Sequence, residues 1–277
     1  MTGRLYMPIM VISRIPYLRK NRTRISVLRL QGVISSGGGR GALSHAGITA
    51  SIEQAFQRGK PSAVALVINS PGGSPVQSAL IGAHIRRLAD EHKIPVHAFV
   101  EDVAASGGYW LAAAADDIHV DASSITGSIG VISAGFGFHE LIAKYGIERR
   151  VHTAGEDKSL LDPFRPERDE DIARLKDIQA RIHRNFIDHV KARRGDRLST
   201  DRDLFTGDVF IGDEAVEVGL VDGIGHLEPV LRRLYGEKLD LRHIRQRRPL
   251  LQRFVPGILS EMATAIEDRA LWSRYGL

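Results

Sequence analysis

Pro95-Val-His-Ala-Phe-Val100, then Val103-Ala-Ala-Ser-Gly-Gly-Tyr-Trp110 and the alanine-rich run from Leu111 to Ala115, decide the fold of this chain. An apolar strand runs into a glycine pair, and the pair opens a helix. A serine at so sharp a strand-to-helix turn presents its hydroxyl at a helix N-terminus. There, free backbone N–H groups and the helix dipole favour developing negative charge. Ser106 is therefore a candidate nucleophile. Ala-Ser-Gly-Gly also makes ordinary turns, so the weight falls on what surrounds it.

Strands and helices alternate outward from this turn. Upstream, Ile25–Ile34 reads as a strand, Ser35–Gly41 as a glycine-rich loop and Thr49–Arg58 as a helix. Ser62-Ala-Val-Ala-Leu-Val-Ile-Asn69 is a continuous apolar run of the kind buried on both faces of a sheet. Pro75–Lys93 is an amphipathic helix with Leu80, Ile81, Ile85 and Leu88 on one stripe. Downstream, strands are expected at Asp117–Val120, Ile129–Ser133 and Ile147–Thr153, with a helix at Gly137–Tyr145 between the last two. A long charged helix over Pro166–Arg194 carries Ile172, Leu175, Ile178, Ile182, Phe186 and Val190 on an apolar face, and a short helix spans Gly212–Leu220. Such alternation argues for an α/β core with parallel strands and right-handed crossovers.

The chain has 277 residues, 43% apolar and 26% charged, enough for one large domain with extensions. It has no cysteine, which excludes disulfides and thiolate metal sites and leaves the compartment open. The formal charge of +5 hints at anionic surfaces without implying nucleic acid. No segment holds the 18 or so continuous apolar residues that a membrane span needs. Residues 6–18 are apolar but interrupted by Pro8, Pro16 and Arg14, and Arg19, Lys20, Arg22 and Arg24 follow. They read either as a packed arm or as an interfacial anchor. The stretch from Leu239 is basic, with Arg242, Arg245, Arg247, Arg248 and Arg253. It reads either as a solvated charge run or as a surface for anionic lipid or a partner. The Ser35–Gly41 loop has neither the lysine of a P-loop nor the spacing of a dinucleotide fingerprint.

Four local signals carry the chemistry. Asn69-Ser-Pro-Gly-Gly-Ser74 follows a buried strand and precedes a helix, so its turn leaves bare amides that suit an oxyanion or a peptide main chain. Ser106 with Gly107 and Gly108 is the second signal; the Gly107 amide would pair with one from Gly72 or Gly73. Thr126-Gly-Ser-Ile-Gly-Val131 is a polar turn, and Thr153-Ala-Gly-Glu-Asp-Lys-Ser-Leu-Leu-Asp-Pro-Phe164 places a lysine in a loop between apolar anchors.

In this order, from about Arg24 to Gly225, the four resemble the signal peptide peptidase A family of serine peptidases, which includes the SohB-like proteins. The resemblance implies an α/β fold with a crotonase/Clp-protease-like core of repeated β-β-α units and a long helical C-terminal part. It implies that Ser106 is the nucleophile, that Lys158 is the general base and that Ser128 orients the lysine. Ser70-Pro-Gly-Gly73 matches the oxyanion loop, so Gly72, Gly73 and Gly107 are the oxyanion candidates. It further implies peptide substrates of hydrophobic or signal-peptide type, no cofactor and no metal. A single copy of the domain resembles the short form, for which a ring with serine and lysine from neighbouring subunits is implied. Many members carry a transmembrane anchor and this chain shows none. The expectation is a cytoplasmic protein touching the inner membrane peripherally, if at all, through residues 6–24 or the arginine-rich tail. The corresponding division is an arm over residues 1–24, a peptidase domain over 25–238 and a basic tail over 239–277.

A Ser–Lys dyad needs a neutral lysine. A free lysine has a pKa of about 10.4, and burial has to bring it down to about 7, a cost of about 4 kcal/mol. Leu160, Leu161 and Phe164 are available as an apolar wall, while Glu156 and Asp157 must point to solvent. Ser–His–Asp is the commoner arrangement, and His97, His119, His139 and His152 are the histidines to weigh; none has a motif around it. Two other readings of the chain stand beside the peptidase. A crotonase-type acyl-CoA enzyme leaves the Ala-Ser-Gly-Gly serine and the lysine loop unexplained. A non-catalytic scaffold would have no need of every motif residue.

Overall fold

The computed structural model describes residues 22–36, 42–155, 158–244, 269 and 271–276. The N-terminal arm up to residue 21, the glycines of the 37–41 loop, Glu156, Asp157 and the arginines from Arg245 to Arg253 lie outside the described residues.

The first half alternates strand and helix: β1 (Thr23–Gln31), α1 (His45–Gln57), β2 (Ala63–Ser70), α2 (Pro75–His92), β3 (Val96–Ala105) and α3 (Gly107–Ala113). Then come β4 (Asp117–Val120), β5 (Ile125–Gly127), α4 (His139–Lys144) and the long α5 (Asp169–Arg194). The chain returns through β6 (Val209–Ile211), α6 (Gly212–Glu217), β7 (Gly223–Ile224), α7 (Leu227–Tyr235) and β8 (Leu239–Ile244).

The strands make one sheet in the order β6-β5-β3-β2-β1-β8, with β4 beside β3 and β7 beside β4. Every pairing is parallel except that of β5 with β6. β2 sits inside the sheet and is buried at all positions, as a continuous apolar run requires. Its residues alternate between two cores. Val64, Leu66 and Ile68 join Leu28 and Leu30 under α1, α2 and α3, packed on Ile48, Ile52, Ile81 and Ile85. Ala63, Ala65 and Val67 face the other way with Ile25, Val27 and Phe99, against Val230 and Leu231 of α7.

Two of the expected strands are absent. Residues 129–133 and 147–153 are irregular, and the strand in this part of the chain is β5. Gly127 and Ser128 have φ of +88° and +50°, which turns the chain out of the sheet after three residues. Beyond the turn the chain leaves the core. α4 buries none of its residues, and Ile132, Phe136, Leu141, Tyr145 and Ile147 are all more than half exposed. The apolar spacing that suggested strands there belongs to an arm without a sheet edge to pair with.

The apolar face of α5 is real but unevenly used. Phe186 and Val190 are buried, whereas Ile172, Leu175, Ile178 and Ile182 are half-buried. β8 pairs with β1 along six residues, from Thr23↔Leu239 to Leu28↔Ile244. The sheet thus takes in the first residues of the basic C-terminal stretch. Among the described residues, no helix is long and apolar enough to cross a membrane.

Candidate active site

Three of the four motifs converge where β2, β3 and β5 end; the lysine loop does not. β2 runs into Pro71-Gly-Gly73, and the loop is pinned to the chain beyond β1. The Ile34 N–H donates to the Gly72 carbonyl at 2.8 Å, and the Ser74 N–H to the Ile34 carbonyl at 2.7 Å. Ser74 then caps α2, accepting from the Gln77 N–H, with Pro75 in the first turn. Ser70 Oγ donates to the Gly32 carbonyl at 2.7 Å and accepts the Gly72 N–H at 3.2 Å. The Gly72 amide is therefore taken. The Gly73 N–H has no acceptor among the described residues.

β3 ends in Ser106, whose φ of 51° and ψ of −123° lie in a region that residues with a Cβ rarely adopt. Such a conformation costs of order 1–3 kcal/mol and persists only when its surroundings enforce it. Here they do. The Ser106 N–H donates to the Gly127 carbonyl at 2.8 Å, and its carbonyl accepts the Trp110 N–H at 3.0 Å. Its hydroxyl caps no helix N–H. The two glycine turns touch. A Cβ on Gly72 would stand 2.8 Å from Ser106 Cβ, Gly107 N and the Ala105 carbonyl, and one on Gly107 would run into Ser78 Oγ. Tyr109, fully buried, locks the start of α3 by donating to the Leu220 carbonyl at 2.6 Å. Burial pushes its phenol well up from the usual value, so it stays a donor.

A pocket of about 20 Å³ opens at this junction, with Gly73, Ser106 and Gly107 on one side and Trp110, Ile182 and Phe186 on the other. It has room for about one water or one carbonyl oxygen. The α5 wall was not assigned from the sequence. The spacing of Ile182 and Phe186 marked a packed face but not what it packs on. His183 Nε2 lies 2.9 Å from the Ile129 carbonyl, and His189 Nε2 lies 3.1 Å from that of Trp110. His189 also stacks flat on the Trp110 ring at 4.5 Å. Its burial holds its pKa below the ordinary histidine value against the opposing pull of that carbonyl.

Ser128 follows Gly127, the residue that holds Ser106. Its N–H donates to the Asp208 carbonyl at 2.7 Å, and its Oγ accepts the Tyr275 hydroxyl at 3.4 Å. Lys158 stands apart. It is exposed on the arm, its N–H is directed to the Gly155 carbonyl, and it is not among the walls of the Ser106 pocket. Leu160 and Leu161 are half-buried, and Phe164 packs on Phe138 and beneath Arg149.

None of the four weighed histidines lines the pocket either. His97 sits between Asp117 and the Tyr235 hydroxyl. His119 stacks on Phe99, and both rings belong to the side of the sheet that α7 covers. His139 and His152 lie on the arm; His152 is exposed and His139 half-buried. Among the described residues, no group of three or more His, Asp or Glu is placed to hold a metal.

The chain is 49% identical over 277 residues to a Brucella abortus protein named Na(+)/H(+) antiporter NhaA. The match covers 94% of this chain but 38% of that protein, so the chain spans little more than a third of its length. It is 32% identical to the chloroplastic serine protease SPPA of Arabidopsis thaliana, covering 76% of this chain and 32% of that one. It is 34% identical to protease 4 of Haemophilus influenzae, covering 73% and 33%. Among solved structures, a mutant of the 1510-N membrane-bound stomatin-specific protease superposes with a TM-score of 0.50 at 15% identity. That match covers 82% of this chain and 99% of the other, a likeness of fold alone. The profile of peptidase family S49 matches residues 89–239, from the end of α2 to the start of β8 and so across the Ser106 turn, the Ser128 turn and the lysine loop. By that match the chain belongs to peptidase family S49.

Proposed function

We propose that this chain is a serine endopeptidase with Ser106 as nucleophile and Lys158 of a neighbouring subunit as general base. The observation that carries the reading is Ser106 itself, held in a strained conformation with a free hydroxyl beside the amides of Gly73 and Gly107.

Ser106 Oγ attacks the scissile carbonyl carbon while its proton passes to the neutral lysine amine. The carbonyl oxygen, now negative, is stabilised by the Gly73 and Gly107 N–H groups. Gly72 serves differently: its amide is spent on Ser70, and its missing Cβ lets the two turns touch. The lysine then returns the proton to the leaving amine, and the acyl-enzyme is hydrolysed by water that the same base activates. Ser128 Oγ accepts from the amine and directs its lone pair at Ser106.

Within one chain Lys158 is exposed. Its burial has to come from elsewhere, and the exposed apolar arm supplies a reason for two chains to meet. Phe136, at 82% exposure, and Tyr145, at 71%, lie on the same arm as Lys158. Covering them against a second copy removes apolar surface from water and provides the dry wall that the amine requires. The apolar Trp110, Ile182 and Phe186 beside Ser106 suit hydrophobic, signal-peptide-like substrates.

The test is cleavage of a panel of hydrophobic peptides by wild type, Ser106→Ala and Lys158→Ala across pH. Both substitutions should lower kcat by about 10³-fold or more. The wild-type profile should rise with a base titrating well below free lysine. Activity that survives Lys158→Ala would move the base to another residue.

A further inference from the structure

β3 changes register against β2 just before the candidate site. Ile68 pairs with Val100, yet Ser70 pairs with Ala104, so two steps along β2 span four along β3. The bulge holds Glu101, Asp102 and Val103. β3 also changes neighbour here: it pairs with β4 up to Phe99 and with β5 from Val103. Two surplus residues leave every side chain on its own face of the sheet but draw β3 back by about 6–7 Å against β2. Carried on to the site, the shifted register sets Ser106 level with Gly72, where a Cβ would stand 2.8 Å from Ser106 Cβ. The unshifted register would carry Ser106 to the level of Ser74, past both glycines.

Each part of the bulge is tied to a different element. The Glu101 carboxylate meets Arg29 of β1 at 2.6 Å, and its carbonyl accepts the Ser124 hydroxyl at 2.5 Å. The side-chain tie to β2 is Asn69, whose Nδ2 donates to Asp102 Oδ2 at 2.5 Å. Asn69 is 7% exposed, and its Oδ1 has no partner among the described residues. An orphaned buried carbonyl costs stability, so the bond to Asp102, rather than packing, accounts for an amide at this position. Given the reading of Ser106 as nucleophile above, we propose that Asn69 and Asp102 are positioning residues for the peptidase reaction: their bond closes the bulge and sets the height of Ser106 against the Gly73 and Gly107 amides. Asn69 stands two residues before Pro71 and Asp102 four before Ser106. The bond thus joins the strand that delivers the oxyanion turn to the strand that delivers the nucleophile. A shift of about 1 Å there is enough to cost about 10²-fold in rate.

The experiment measures kcat and KM per folded chain on the same hydrophobic peptides. It compares full-length wild type, Asp102→Ala, Asp102→Asn, Asn69→Ala, the double variant Asn69→Ala with Asp102→Ala, and Ser106→Ala. Asp102 is exposed, so its variants test the bond in a folded chain. Asp102→Ala should lower kcat about ten- to hundredfold with KM within about twofold of wild type. Asp102→Asn offers Asn69 an oxygen in the same place and should recover most of the loss. The double variant should be no slower than Asn69→Ala, because both substitutions remove the one bond. Wild-type kcat in Asp102→Ala, with Ser106→Ala inactive, overturns the positioning role and leaves the peptidase reading standing. A loss as large in Asp102→Asn as in Asp102→Ala does the same. A wild type as silent as Ser106→Ala overturns both. Hydrogen exchange reads the bulge without catalysis: Asp102→Ala should speed exchange across residues 103–107 several-fold, and equal exchange in the two proteins overturns it.

Discussion

The Ser106 N–H donates to the Gly127 carbonyl at 2.8 Å, so the turn that strains the serine and the turn that carries Ser128 are one hydrogen-bonded unit. The candidate nucleophile and the residue that would steer its base are thus placed by the same bond between the ends of β3 and β5. Gly72 packs against the other side of this unit, which makes the site sensitive to changes of a single carbon atom.

Gly72→Ala tests that packing. Alanine at φ +100° is strained, and its Cβ would stand 2.8 Å from Gly107 N and Ser106 Cβ. We expect a loss of roughly 1–3 kcal/mol in stability. We also expect a fall of about 10²-fold or more in kcat, as when an oxyanion donor is displaced. Thermal unfolding and peptide hydrolysis measure the two. Retained cleavage would mean that the Gly107 amide has no part in the chemistry.

The Arg194–Asp222 pair holds α5 to the sheet that positions the site. The Arg194 side chain is 2% exposed and contacts Asp222 at 2.7 Å and 3.1 Å. Asp222→Asn leaves a buried guanidinium short of its partner, which costs about 3–5 kcal/mol. Burial pushes the Asp222 carboxyl up, but the Arg194 bonds and charge outweigh it and hold the group below its usual value. A lowered folded-state pKa means stability that is present above the unfolded value of about 3.9 and lost as pH falls through the folded one. The wild-type denaturant midpoint should therefore drop on acidification below about pH 4, and Asp222→Asn should lack that component.

His189 gives a second pH signature, nearer neutrality. Its folded-state pKa lies below the ordinary value through burial against Trp110. As pH falls below about 6.5 the unfolded chain takes up the proton first. The stability from neutral His189 then declines, and it is gone once pH has passed the folded value. Wild type should lose more melting temperature between pH 7 and pH 5 than His189→Gln does. Parallel melting curves for the two would show that the ring is not kept neutral by its site.

Phe136→Asp and Leu141→Asp address the arm. Neither side chain is buried in the single chain, at 82% and 52% exposure, so the fold should be unharmed. A charge in a face that meets a second copy should lower the assembly to single chains and remove peptide cleavage with it. Sedimentation with a parallel assay reads both, and an active single chain would refute the shared site.

How much of this was legible in the sequence depended on whether the local pattern had a local cause. β2 was readable because six apolar neighbours in a row, Ala63 to Ile68, admit little else than a strand buried on both faces. The Ser106 turn was readable because glycines at such positions answer to backbone geometry. The stretch from Ile129 to Thr153 was misread because, past the buried Ile129, Ile132, Phe136, Leu141, Tyr145 and Ile147 are more than half exposed, so strand-like spacing there signals a surface rather than a sheet. Leu239–Ile244 was taken with the basic tail because Arg242 and His243 masked an edge strand. Gly72 and Gly73 were indistinguishable on paper; which amide is free depends on Ser70 Oγ, a contact that sequence order does not reveal. The α5 wall and Tyr275 are contacts over long separations that nothing in the local sequence encodes.

The most direct test of a dyad shared between subunits is complementation. Ser106→Ala and Lys158→Ala chains are assayed separately, then unfolded together, refolded as mixed assemblies and assayed again. If Ser106 and Lys158 come from neighbouring chains, each parent is inactive and the mixture recovers about a quarter of wild-type activity, the share of neighbour pairs that carry both intact residues. Mixed assemblies as inactive as their parents would contradict it and place nucleophile and base within one chain or on other residues.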